Sequence, residues 1–302
     1  MMLQGCETNQ RAGDITLAKL PVKEDVVAAD SSLRSDSAQR SDTTQSIAGT
    51  NLVTSSPVVN TTISPSTSSP TAPDTTPVKN SKIPANIISI VRTKPGCNGK
   101  DCPVIKVKRL QFSGNDRFNV FLDKTMASMV QMETNQTQSF NTFNEFAEYF
   151  WKTSKPRDEV VIEASVKRGD ESIVVVQLDS YIFTGGAHGI STTQYINWLP
   201  KTDRLLSLET MLMPNKMKAF QSALRKQYDA WLKQNRDAIK DPSAYKKKWP
   251  FVESDNAAIL NEGIAITYDP YTIAPYYFGR PTLVVPYKDL KGILRPELMP
   301  EN

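Results

Sequence analysis

The chain of 302 residues carries 36 Lys and Arg against 32 Asp and Glu, a formal net charge of +4, with 39% hydrophobic and 8% aromatic residues. That balance describes a mildly basic globular protein. Three cysteines and one histidine are too few for a zinc cluster or a multi-histidine centre, so neither a metal nor a cofactor is expected.

The chain begins "MMLQGCETNQ", in which Leu3-Gln4-Gly5-Cys6 has the form of a bacterial lipobox. Cys6 is therefore the candidate for acylation, and a polar spacer behind it is what a lipid-tethered domain needs to stand off a membrane. The basic and apolar regions of a signal peptide do not precede it, so the start reads as a truncated leader. An ordinary free cysteine is the alternative. Glu7, in the position where Asp would signal inner-membrane retention, points to the outer membrane.

Between Ser31 and Asn80, 27 of 50 residues are Ser, Thr or Pro, and no aromatic residue precedes Phe112. Such a stretch cannot bury enough apolar surface to offset its chain entropy. Residues 1–82 are thus expected to form a disordered tether, with the fold starting near Ile83. No apolar run reaches the ~18 residues that cross a bilayer as a helix.

In "KPGCNGKDCPV", Cys97 and Cys102 flank a turn-forming Asn-Gly pair, which reads as a local disulfide in an oxidising compartment. "NIISIVRT" and "PVIKVKRLQF" read as strands. "DRFNVFLDKTMASMVQM" follows as a helix with Phe118, Phe121, Leu122, Met126 and Met129 on one face. "FNEFAEYFW" is a second short helix, and "DEVVIEASVKR" and "ESIVVVQLDSYIF" form a hairpin around Gly169-Asp170. "TTQYINWL" is a further strand. Pro214 is expected to open a helix whose core stripe is Met217, Phe220, Leu224, Tyr228, Trp231 and Leu232. "GIAITYDPY" and "TLVVPY" are late strands, and "KDLKGIL" a short final helix. Strands and helices do not alternate regularly, which favours α+β with largely antiparallel sheet.

Two strings, "YIFTGGAHGIST" and "YTIAPYYFGR", lie within a stretch that resembles the extracytoplasmic domain shared by RsiV-type anti-sigma factors and PdaC-type peptidoglycan deacetylases. The resemblance spans residues 86–296. It implies two α+β subdomains, which the boundaries place at 83–178 and 179–302, and an envelope sensor or binding role without catalysis. In RsiV-type proteins the partner is lysozyme. This sequence has neither the transmembrane helix nor the sigma-binding segment of that design.

Gly185, Gly186 and Gly189 suit a chain leaving a strand through positive φ or passing close to other backbone. His188 reads first as a structural turn residue bonding local backbone and second as part of a recognition surface. Catalysis would need a partner that strand geometry does not supply. Tyr271, Pro275, Tyr276 and Tyr277 form a stiff aromatic loop and are the contact candidates for a partner, with core packing as the competing reading. The tether holds 7 basic and 8 acidic residues, so the remainder carries 29 against 24. That excess suits an anionic polymer such as peptidoglycan better than a basic lysozyme. "YKKKWP" is the runner-up surface for an acidic glycan or lipid headgroups, its plainer reading being a solvated helix end. The sequence thus points to a lipid-anchored periplasmic module for a lysozyme-like protein or peptidoglycan, with no nucleic-acid partner. An envelope hydrolase using Glu159, Glu163 or Asp179 is the alternative.

Overall fold

Strands β2 (Ala85–Thr93) and β3 (Val104–Phe112) form the first hairpin of the computed structural model, which describes residues 73–130 and 140–300. Cys6 and most of the tether lie outside the described residues. Ahead of β2, the exposed strand β1 (Asp74–Pro77) pairs antiparallel with it, so the fold starts before Ile83. Its Thr-rich sequence carries no apolar pattern because it is an edge strand with every residue in solvent. Pro77 is tolerated there for the same reason.

From β3 the chain runs through α1 (Asp116–Ser128) and α2 (Phe143–Thr153) and returns as β4 (Glu159–Gly169), parallel to β3. A crossover of two helices is what makes a parallel pair possible in an otherwise antiparallel sheet. The sheet continues with β5 (Val174–Phe183), β6 (Ile190–Leu199) and the short β7 (Arg204–Leu206), seven strands in sequence order. Then come α3 (Leu208–Met211), α4 (Met217–Leu232), α5 (Arg236–Lys240) and α6 (Pro242–Lys248). A three-stranded antiparallel sheet closes the fold: β8 (Ala257–Ile259), β9 (Gly263–Thr267) and β10 (Thr282–Pro286). The fold class is α+β.

The seven-stranded sheet separates two cores. On one face Ile105, Val107, Val160, Ile162, Val174, Val176 and Trp198 pack against Phe118, Leu122, Phe146 and Phe150 of α1 and α2. On the other, Ile173 and Val175 meet α4, through Phe220, Leu224 and Tyr228, and the three-stranded sheet, through Ala258, Ile264 and Val285. Successive residues of β5 therefore enter opposite cores, which is why "SIVVV" is an unbroken apolar run. The 178/179 boundary falls inside β5, and the molecule is divided by layers on either side of one sheet.

Two expected helices change shape. Pro214 does not open α4, because Asn215 sits at φ 62 and the helix begins at Met217. "KDLKGIL" makes only a 3-10 turn, Tyr287–Asp289. Gly292 at φ 69 breaks any continuation, and Leu294 bridges to Leu212 instead. Cys97 and Cys102 close the β2–β3 loop at disulfide distance, with Sγ atoms 2.16 Å and Cα atoms 5.7 Å apart.

Candidate functional site

The two strings come together at one end of the molecule. After β5, Gly185 (φ 97) and Gly186 (φ 90) take the chain through left-handed conformations in which a Cβ would be strained although nothing crowds it. Gly189 serves the other purpose. A Cβ there would lie 2.5 Å from the Ile182 carbonyl oxygen and 2.5 Å from the Tyr181 ring, so only a glycine lets the loop fold back on the strand it has just left.

This places His188 in solvent but against the second string. Its Nε2 pairs with the Tyr271 hydroxyl at 2.9 Å, its Nδ1 with the Gly189 carbonyl at 3.1 Å, and its ring stacks on Tyr276 at 3.8 Å and 15°. His188 thus links the glycine-rich turn to the tyrosine loop through a hydrogen bond and a ring stack.

In the loop, Pro275 precedes the 3-10 turn Tyr276–Phe278. Tyr276 is half-buried, and Tyr277 projects with 70% of its surface exposed, its hydroxyl donating to Asp237 of α5. Tyr271 is 52% exposed at φ 69, a conformation rare for a bulky residue and held here by its neighbours. Its ring lies 5.6 Å from Tyr276 and 6.2 Å from Trp249. The core reading holds for Tyr268, Ile273 and Ala274, which are buried.

Beneath the rings lies a polar network that the sequence reading did not assemble. Asp179 on β5 accepts from Gln177 Nε2 (2.7 Å), from Thr193 Oγ1 (2.8 Å) and from the Arg280 guanidinium, which also donates to Thr193 Oγ1 at 2.6 Å. Asp269 accepts the Thr193 backbone N–H at 2.9 Å, and Asn256 both accepts from Tyr195 N (2.8 Å) and donates to Thr193 O (2.6 Å). These side chains satisfy the part of the β6 edge that β7 does not reach. Burial raises the Asp269 carboxyl to about 6; the Thr193 N–H and Arg280 lower it only partly, and the Asp179 charge adds to the rise.

An acid inside an apolar strand, as Asp179 is in "VVVQLDS", was the available signal, since such a group stays buried only when paired. Arg280 ends the second string and Asp269 stands two residues before it, and neither gives such a signal. The other carboxylates are separately paired: Glu159 with Lys106 at 2.6 Å and Glu163 with Lys108 at 2.8 Å. The register nevertheless sets Glu163 directly opposite Asp179 on β5, a like-charged pair that the sequence reading did not find. Two shallow depressions lie elsewhere, one beside Cys97 and Pro156 and one beside Phe140 and Tyr149. The aromatic site is a surface. Among the described residues no group of three or more His, Cys, Asp or Glu side chains is placed to hold a metal ion.

This arrangement sits in a fold shared with solved proteins. A DUF3298 family protein of Pseudomonas aeruginosa PAO1 superposes with a TM-score of 0.68 at 28% identity, over 74% of this chain and 99% of that one. A member of the same family from Bacteroides fragilis superposes at 0.57 and 19% identity, over 72% and 97%, and shows the fold alone. No curated protein matches the chain. Residues 209–288, from α3 to the turn after β10 and including the Tyr-Pro loop, match the family described as "Protein of unknown function (DUF3298)".

Proposed function

We propose that this chain is a lipid-anchored periplasmic binding module of the cell envelope, which engages a lysozyme-like muramidase or the cell-wall glycan and performs no chemistry of its own. The observation that carries the reading is the tyrosine loop itself. Tyr271 and Tyr277 stand in solvent on a Pro-flanked turn that His188 and Asp237 brace from two sides. Rigid rings of this kind supply contact area at small entropic cost on binding. The resemblance to RsiV-type and PdaC-type domains and the lipobox around Cys6 support the envelope setting.

The test is retention of the protein on insoluble cell-wall sacculi and on immobilised lysozymes. Tyr276→Ala and Tyr277→Ala are each expected to abolish capture of one of these ligands while the protein stays folded. Undiminished capture by both variants would move the site off the loop. The Glu163 and Asp179 pairing favours one second reading, a hydrolase of cell-wall glycan. In that case Asp179→Asn and Glu163→Gln would each stop release of soluble fragments from sacculi.

A further inference from the structure

The net charge of the chain is concentrated in one place. Residues 233–252 hold six basic side chains against only Asp237 and Asp241, an excess equal to the +4 of the whole protein. The two acids are occupied: Asp237 takes the Tyr277 hydroxyl and lies 3.8 Å from Lys240, and Asp241 caps α6 by accepting from Ala244 N. Of the three lysines in the last turn of α6, Lys246 pairs with Asp229 at 2.7 Å, while Lys247 is exposed and Lys248 lies 5.7 Å from the centre of the Trp249 ring. Tyr245, in the same helix, is buried and accepts from Asn235, so the helix is docked by that residue and offers its lysines outward.

Apolar groups are exposed among these charges. Ile239 on α5 is 57% exposed and Val252, just beyond Trp249, 38%. The region is continuous with the tyrosine loop, since Trp249 stacks near Tyr271, Tyr271 near Tyr276, and the next residue, Tyr277, reaches α5. Lysine ammonium groups, exposed aliphatic side chains and amphipathic rings in one region are the composition of a membrane-interface seat. Five of the six cations are lysines, point charges that suit a diffuse anionic surface better than a single carboxylate or phosphate to be gripped in a fork. Sugar recognition would make no use of Ile239 or Val252.

We infer that the α5–α6 face, through Lys247, Lys248, Trp249, Ile239 and Val252, seats the folded domain on an anionic lipid surface. The inference does not depend on what the tyrosine loop binds.

The test uses the full chain with Cys6→Ala, so that no acyl group contributes, and flotation with vesicles of phosphatidylcholine alone or mixed with phosphatidylglycerol. Binding is expected only to the anionic vesicles and is expected to fall as salt is raised. Each lysine near such a surface contributes about fivefold to partitioning, so Lys247→Glu with Lys248→Glu is expected to cost at least about tenfold. Ile239→Ser is expected to weaken partitioning while leaving its salt dependence unchanged. All three residues are exposed, and unchanged melting temperatures check that the variants fold. Equal flotation of the charge-reversed protein would overturn the inference. So would absence of vesicle binding in a protein whose retention on sacculi needs the same lysines, which would assign the face to the glycan.

Discussion

The two faces of the seven-stranded sheet are built on different rules. Against α1 and α2 the packing is nearly all aromatic and aliphatic: Trp198 stacks on Phe118 at 4.1 Å and meets Phe112 at 5.7 Å. Against the three-stranded sheet the apolar core is interrupted by hydrogen-bonded side chains. Asn197 clamps Ala257 O and Ile259 N, and Tyr195, Thr267 and Thr282 form a chain of hydroxyls. An apolar face tolerates sliding and repacking, whereas a polar seam is satisfied in one register only. The face that must hold the His188 and Tyr271 strings in register is the polar one. Rigidity is placed where the exposed rings need it.

The largest expected effect separates stability from binding. Phe118→Ala removes a fully buried ring from the apolar face and should cost about 3–5 kcal/mol in denaturant unfolding. Provided the protein remains folded at low temperature, its affinity for loop ligands should be unchanged. Next, Asn197→Ala strips two buried backbone groups of their partner and should cost about 2–4 kcal/mol. Unlike Phe118→Ala, it should also weaken binding, because it loosens β6 against the sheet that carries the loop. Equal binding losses in both variants would erase the distinction between the faces.

The same contrast separates two aspartates, Asp170 in the turn before β5 and Asp269 just after β9. Asp170, in the turn before the strand, is pushed up by burial, but hydrogen bonds from Ser172, Arg168 and Ile173 outweigh that and hold it at about 2. Its folded value lies below the ~3.9 of an unfolded aspartate, so its contribution is present above pH 4 and is lost as pH falls towards 2. Asp269 does the opposite. The folded state favours its proton, so stability declines as pH rises from about 4 to about 6 and is flat beyond. Asp269→Asn keeps an acceptor for Thr193 N and should remove the decline between pH 4 and 6, leaving a protein more stable than the parent at pH 7. Asp170→Ala should flatten only the limb below pH 4. Thermal melts across this range read both.

Most of the apolar face was legible in the sequence. Residues such as Phe118, Leu122 and Met126 recur at helical spacing, and the alternation through Val160, Ile162 and Ala164 marks a half-buried strand. The polar seam was not, because its residues meet across long intervals of sequence: Thr193 with Asp269, Asp179 with Arg280. Nothing in local period foretells such pairs. Elements of three to five residues were missed for want of length, namely β1, β7, β8, α3 and α5. The capping signals were present, however: Asn235 accepts from Asp237 N and Ala238 N, and Asp241 stands before Pro242 at the start of α6. Gly185 and Gly186 take positive φ and Gly189 passes close to Tyr181, but what His188 touches came only with the fold.

The smallest expected effect on stability tests the site most directly. Tyr277 has 70% of its surface in solvent, and its bond to Asp237 is itself exposed, so Tyr277→Ala should change unfolding by roughly 1 kcal/mol or less. His188→Ala should act differently. It removes the stack on Tyr276 and the partner of the Tyr271 hydroxyl, both of which hold the loop in shape. If the rings are the recognition surface, Tyr277→Ala deletes a contact from an otherwise intact loop and should raise the dissociation rate. His188→Ala leaves every ring present on a loosened loop and should reduce affinity through the cost of reordering it. His188→Phe then sharpens the distinction, since a phenyl ring can restore stacking without the hydrogen bond to Tyr271. Partial recovery of affinity in His188→Phe would assign the pin chiefly to stacking. A loss equal to that of His188→Ala would assign it to the hydrogen bond, and full affinity in both would show that the loop holds its shape without the histidine.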